Sequence, residues 1–83
     1  AVTDTEVLQI VTTHCAGCHA SVPTQVGFQS APKGVVLETL VDIDRYQAQI
    51  YSQSVASQAM PLANITQMSE DERARLGAWI QAR

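Results

Sequence analysis

The chain lacks any apolar run approaching the roughly 20 residues that a membrane-spanning helix needs. Its longest, "VLQIV" at residues 7–11 and "GVVL" at 34–37, fall far short, so no direct membrane insertion of this segment is expected. It is poor in cations as well. Lys33 is the one lysine, five basic residues stand against eight acidic ones, and the net charge is -3. That balance argues against nucleic acid or an anionic membrane surface as the main partner. Low-complexity stretches, internal repeats and alternating strand patterns are missing too. With 46% hydrophobic and 16% charged residues, the composition is that of a folded chain rather than a disordered one. At the N-terminus, Ala1 follows no initiator Met, basic segment or apolar segment, an opening that fits either a removed signal peptide or a domain cut from a longer chain.

What is present reads as one small domain, residues 1–83. A domain of this size buries only about 60 to 65% of the surface its unfolded chain exposes, so a staple of some kind is expected. Helical signals account for three segments. The first starts near Thr3, whose spacing to Glu6 fits a Ser/Thr-x-x-Glu capping box, and carries Val7, Leu8, Val11 and Cys15 at helical spacing. The middle one is capped by Thr39, with Leu40, Ile43, Tyr46 and Ile50 along one side as far as Val55 or Ala56. The last opens at Ser69 with Glu70, Asp71 and Glu72 where a helix dipole favours anions, and aligns Leu76, Trp79 and Ile80. The fold class is therefore all-α. Two loops, residues 20–34 and 57–68, separate the helices; both contain Pro, and the first also holds Gly27 and Gly34.

Both cysteines and both histidines fall in "TTHCAGCHAS", residues 12–21. Three chemistries use such a cluster. A dithiol redox centre places Cys-x-x-Cys at a helix N-terminus beside a βαβ unit, whereas here it closes a helix and no strands are expected. A structural zinc site needs four ligands, normally from two pairs, and there is no second pair. Cys-x-x-Cys-His is the signature of covalent c-type haem attachment, and this is the reading favoured here. Cys15 and Cys18, three apart on one turn, can each form a thioether to the same porphyrin edge, and His19 then projects its imidazole toward the iron. The small Ala16 and Gly17 let the turn lie against the ring. His14 leaves the helix about 100° away from Cys15 and is expected to be a partly exposed neighbour of the haem edge and a bystander to ligation.

A sixth ligand would come from Met60 or Met68, the two methionines. Met60 is favoured because Pro61 fixes its own φ and pushes the preceding residue into extended backbone, a stiff setting for a thioether that must point at a metal. Met68, directly before the Ser69 cap, suits a flexible gap-filler instead. An apolar shell is expected from Val7, Leu8, Val11, Phe28, Val35, Leu37, Ile50 and Leu62.

A leading helix, Cys15-Ala16-Gly17-Cys18-His19, a loop, a Met60-Pro61 loop and a closing helix bearing Trp79 together resemble a small class I monohaem cytochrome c, over nearly the whole chain. More narrowly, "PTQVGFQSAPKGVVLET" (23–39) and "SVASQAMPLANITQMSEDERARLGAWI" (54–80) resemble the cytochrome c domain of bacterial integral-membrane urate oxidases, on Pro32-Lys33-Gly34-Val35 and Met60-Pro61-Leu62 with Asn64. The resemblance implies three main helices and loops wrapped around one covalent haem c, His19 and Met60 on the iron, and one-electron transfer. It implies redox protein partners, among them a membrane oxidase domain and a terminal cytochrome oxidase, and a periplasmic or periplasm-facing location; the domain itself is expected to be monomeric. An alternative stays open, a haem domain with an open distal face that binds a small ligand or acts as a peroxidase.

Supporting roles follow from the same chemistry. The second ring nitrogen of a ligating histidine usually donates to a carbonyl or carboxylate; the resemblance implies a proline carbonyl for His19, from Pro32 or Pro23. Asn64 could donate to the Met60 sulfur or to a loop carbonyl. Lys33, Arg45, Tyr46, Gln49 and Trp79 are candidate partners for haem propionates, with Trp79 first of all a core residue between helices. The first helix has no Gly where the last would cross it, so either Gly77 supplies the close approach or the two helices stand further apart.

Overall fold

The structure, a computed structural model, describes residues 2–83. Four helices form without a strand among the described residues: α1 (Asp4–His14), α2 (Leu40–Arg45), α3 (Gln47–Ile50) and α4 (Glu70–Gln81), with a π-helical turn at Tyr51–Val55. Single 3₁₀ turns sit at Pro32–Gly34 and Leu62–Asn64. The Cα radius of gyration, 11.7 Å, matches the ~11.8 Å expected for a close-packed domain of this length.

Each long helix begins where its sequence says it should. Thr3, Thr39 and Ser69 are all N-caps in full capping boxes. At α1 the Glu6 N–H donates to Thr3 Oγ1 and the Thr3 N–H donates to Glu6 Oε2, both at 3.1 Å. Such a cap is worth about 1 kcal/mol, enough to set where a short helix starts.

The middle helix is not continuous. Tyr46 adopts φ −105°, ψ 19°, and the Gln47 amide folds back to donate to the Asp44 carbonyl and carboxylate, so the chain leaves α2 and re-enters helix at α3. The ladder then widens, with the Ala56 N–H reaching five residues back to Tyr51. An unbroken helix over 40–55 is therefore corrected to three short pieces.

Val7, Val11, Ile43 and Leu76 are fully buried, surrounded by Ile10, Cys15, Leu37, Ile50, Met68, Trp79 and Ile80. At about 1.5–3 kcal/mol for each large aliphatic side chain taken from water, this cluster holds α1, α2, α3 and α4 together. Polar contacts fix α1 on α4. The Trp79 indole N–H donates to Asp4 Oδ1 (2.8 Å), and His14 reaches Glu72 at the other end (2.8 Å).

Gly77 is the place of closest approach, but the neighbour is the π turn. A Cβ there would stand 2.7 Å from Val55 Cγ1 and 3.7 Å from Tyr51 Cε2. The alternative of a Gly77 approach to α1 is thus corrected: the small residue seats α4 on Tyr51–Val55.

Candidate functional site

The cysteine motif begins where α1 runs out. Cys15 caps the helix with its N–H on the Val11 carbonyl, and the Cys18 and His19 N–H groups both return to the Cys15 carbonyl, which winds residues 15–19 into one tight turn. The Thr24 and Gln25 N–H groups then donate to the Gly17 carbonyl (2.9 Å each), folding the following loop back over the motif.

This turn forms one wall of a cavity of about 180 Å³ that is open to solvent. Cys15, Cys18 and His19 line it; Phe28, Pro32 and Gln25 come from the loop after the motif. Met60, Pro61, Leu62, Ile65 and Thr66 come from a loop more than forty residues further on. Met60 and His19 thus share one space, whereas Met68 is 4% exposed and packs in the core.

The His19 ring is oriented by backbone. Its Nδ1 lies 2.8 Å from the Val35 carbonyl. A carbonyl can only accept, so Nδ1 carries the proton, and a neutral imidazole then keeps its lone pair on Nε2. That is how a metal-ligating histidine is usually held. The acceptor is Val35 and not Pro32 or Pro23. Pro32 lines the cavity and opens the 3₁₀ turn, whose tightness brings the Val35 carbonyl into place, with the Val35 N–H returned to Pro32.

The Cys15 thiol is not set up as a nucleophile. Burial, and after it the neighbouring Cys18, pushes the Cys15 thiol up to about 11, with Arg73 pulling weakly the other way. A nucleophilic thiolate needs the reverse shift. Nor does any group of three or more His, Cys, Asp or Glu converge as a metal site among the described residues.

His14 corrects its sequence reading. It is 7% exposed, not partly open, and it lines the cavity. Nε2–H donates to Glu72 Oε2 (2.8 Å), since a carboxylate only accepts, and in the neutral ring Nδ1 accepts from the Thr66 hydroxyl (2.7 Å). One imidazole thereby joins α1, the Met60 loop and α4. Glu72 is held below the usual carboxylate range, first by the Ser69 N–H and further by His14, against an opposing effect of burial.

Of the other candidates, Asn64 bonds within its loop: its Oδ1 accepts from the Met68 N–H (2.9 Å) and its amide reaches the Met68 carbonyl (3.4 Å). Lys33, Arg45, Tyr46 and Gln49 do not line the cavity. Trp79 lies in the core with the Arg83 guanidinium 4.1 Å above its ring. Of the expected apolar shell, Phe28 and Leu62 line the cavity, Val7, Val11, Leu37 and Ile50 belong to the core behind it, and Leu8 and Val35 pack on that core.

The residue that sequence reading missed is Arg73. It is 4% exposed, and one nitrogen, Nη1, donates to the Ser54 and Met60 carbonyls at 2.8 Å each. Its spacing was a signal. Arg73, Leu76, Gly77 and Ile80 follow the i, i+3, i+4, i+7 rule, which places a cation on the buried face of α4.

Compared with protein-family models, with curated proteins and with solved structures, the chain matches none.

Proposed function

We propose that this chain is a one-electron carrier of the small class I cytochrome c kind, holding a single c-type haem between the Cys15–His19 turn and the Met60 loop. The observation that carries the reading is the shared cavity. Cys15, Cys18, His19 and Met60 all face it, and His19 presents Nε2 as its free donor because Nδ1 is committed to Val35. Two thiols able to tether a porphyrin edge, an imidazole and a methionine thioether in a mostly apolar space are the set such a group requires.

The haem would supply the Fe(III)/Fe(II) couple. Everything else falls to the protein. Cys15 and Cys18 would tether the porphyrin edge, His19 would ligate from one face and Met60 from the other. Phe28, Leu62 and Ile65 would exclude water and so favour the less charged, reduced site. No acid-base chemistry is asked of these residues. No helix of the described residues is long and apolar enough to cross a membrane. On the likeness of residues 32–35 and 60–64 to the cytochrome domain of urate oxidases, the donor would be a membrane oxidase and the acceptor a terminal oxidase, met on the periplasmic side.

The test is expression in a host that attaches haem c, followed by denaturing electrophoresis stained for covalent haem and by ferric and ferrous spectra. The expected result is one covalent haem per chain, a thioether-to-iron charge-transfer band in the ferric form, and slow carbon monoxide uptake by the ferrous form. Met60→Ala should abolish the band and lower the potential, while Met68→Ala does neither. Absence of covalent haem refutes the reading; rapid carbon monoxide binding by the unmutated protein replaces it with the open-faced, ligand-binding alternative.

A further inference from the structure

We propose that Arg73 is the positioning residue for the Met60 side of this site: its buried guanidinium clamps the Met60 turn in place and sets a fixed positive charge behind the cavity, raising the potential of an iron held there. The inference rests on the haem reading above.

Three observations carry it. The first is the clamp. Met60 is pinned at both ends of its backbone, its N–H donating to the Gln53 carbonyl (2.8 Å) and its carbonyl accepting from Arg73 Nη1 (2.8 Å). The same nitrogen takes the Ser54 carbonyl, and Nη2 stands 3.5 Å from Asn64 Oδ1, so one side chain gathers the end of the π turn, the Met60 turn and the following 3₁₀ turn. Charge-assisted bonds of this kind are about twice as strong as neutral ones.

The second is what the clamp restrains. Ala63 and Asn64 stand at φ 53° and 49°, left-handed backbone that residues with a side chain hold only when their surroundings over-determine it. Apolar anchoring is confined to the ends of this loop, at Pro61 and Met68, because Leu62 and Ile65 between them are 58% and 51% exposed. Polar contacts from Arg73 and from the Asn64 side chain supply the restraint.

The third is the charge. Arg73 is nearly completely buried, yet among the described residues no carboxylate pairs with it; its partners are carbonyls and one amide oxygen. Glu72, next in the chain, is turned to His14. A guanidinium keeps its charge at any working pH. A buried cation disfavours the more positive ferric state, in a medium that screens it weakly.

The experiment compares haem-loaded wild type with Arg73→Met, which keeps bulk and loses charge, and Arg73→Lys, which keeps charge and loses the fork. Two quantities are read: the reduction potential, and the imidazole concentration that half-displaces Met60 from ferric iron. Arg73→Met should need at least about ten-fold less imidazole, the ratio that one charge-assisted hydrogen bond is worth. It should also show a several-fold higher ferric-to-ferrous ratio at the wild-type midpoint. Arg73→Lys should recover the potential more completely than the resistance to imidazole. If Arg73→Met yields no holoprotein, Arg73→Lys decides alone: tighter imidazole binding at a near-normal potential supports the clamp, and unchanged imidazole binding overturns it. Arg73→Met with both quantities unchanged overturns the inference while leaving the haem reading intact. A wild type without covalent haem refutes the haem reading, and the inference falls with it.

Discussion

Replacing His14 by Ala should cost far more than the loss of a bystander. In the folded chain its ring makes one hydrogen bond to a carboxylate, Glu72, and one to a hydroxyl, Thr66. A bond to a charged partner is worth about 1.5–3 kcal/mol and a neutral one about 1 kcal/mol. The low end applies to the first, because the Glu72 side chain is 30% exposed and regains water when the ring is removed. Thr66 is half-buried and also lines the cavity, so its hydroxyl is solvated again at little cost. With the buried ring's packing added, the total is about 2–4 kcal/mol. For a domain of this length each kcal/mol moves the melting temperature by about 4–8 °C, so a fall of about 8–32 °C is expected by far-ultraviolet circular dichroism of the isolated protein. Thr66→Val, which removes only the neutral bond, should cost about 1 kcal/mol. A double-mutant cycle between His14→Ala and Glu72→Gln should show coupling of about 0.5–3 kcal/mol. A fall in melting temperature below about 3 °C for His14→Ala, with no coupling to Glu72, would refute the reasoning.

Other perturbations have equally definite outcomes. Gly77→Ala puts a methyl 2.7 Å from Val55 Cγ1, a short branched side chain that cannot swing away. Overpacking of about 1–3 kcal/mol against a helix-propensity gain of about 1 kcal/mol leaves it destabilised; in a Val55→Ala background the same change should turn neutral or stabilising, and equal effects in both backgrounds would sink the argument. Glu72 has a folded-state pKa below its unfolded value, chiefly through the Ser69 N–H, so its contribution is fully present above the ordinary carboxylate range and lost as pH falls through the lower folded value. Glu72→Gln should therefore lie below wild type in stability at neutral pH and converge with it in acid; a gap that persists in acid contradicts the sign. Cys15→Ala with Cys18→Ala should give little folded protein, assayed by yield and circular dichroism, and a normally folded, haem-free helical domain would contradict the staple argument.

What could be read from the sequence was what lies close together in it. Three capping boxes span four residues each, so Thr3, Thr39 and Ser69 announced their helices. The motif turn is equally local. The break at Tyr46 was invisible because Leu40, Ile43, Tyr46 and Ile50 keep helical spacing across it; what interrupts the ladder is the Gln47 side chain competing for the Asp44 carbonyl, a contest that periodicity does not register. His14 was misjudged for a related reason. Its angle from Cys15 was considered, but its register with Val7, Ile10 and Val11, which places it on the buried face, was not. The His19 acceptor depended on how Pro32–Gly34 tightens, with Lys33 at φ 55°, and so fell three residues beyond the proline that creates it.

The two walls of the cavity are built on different principles, and this explains why the supports of one were legible and those of the other were not. The motif wall is a continuation of α1, fixed by five consecutive residues and backed by the core at Cys15. The Met60 wall has little apolar backing of its own between Pro61 and Met68, since Leu62 and Ile65 are directed to the cavity side and stand more than half exposed. It is held by groups reaching in from elsewhere: the Gln53 carbonyl, Arg73 of α4, and His14 of α1 through Thr66. A wall fastened by polar contacts and faced with exposed aliphatic side chains gains stability from whatever apolar group fills the space, at about 25 cal/mol for each Å² covered. Cofactor and fold would then support each other. The tether in the turn after α1 would bring the group to the wall, and the wall, once covered, would no longer depend on Arg73 and His14 alone to stay where Met60 is needed.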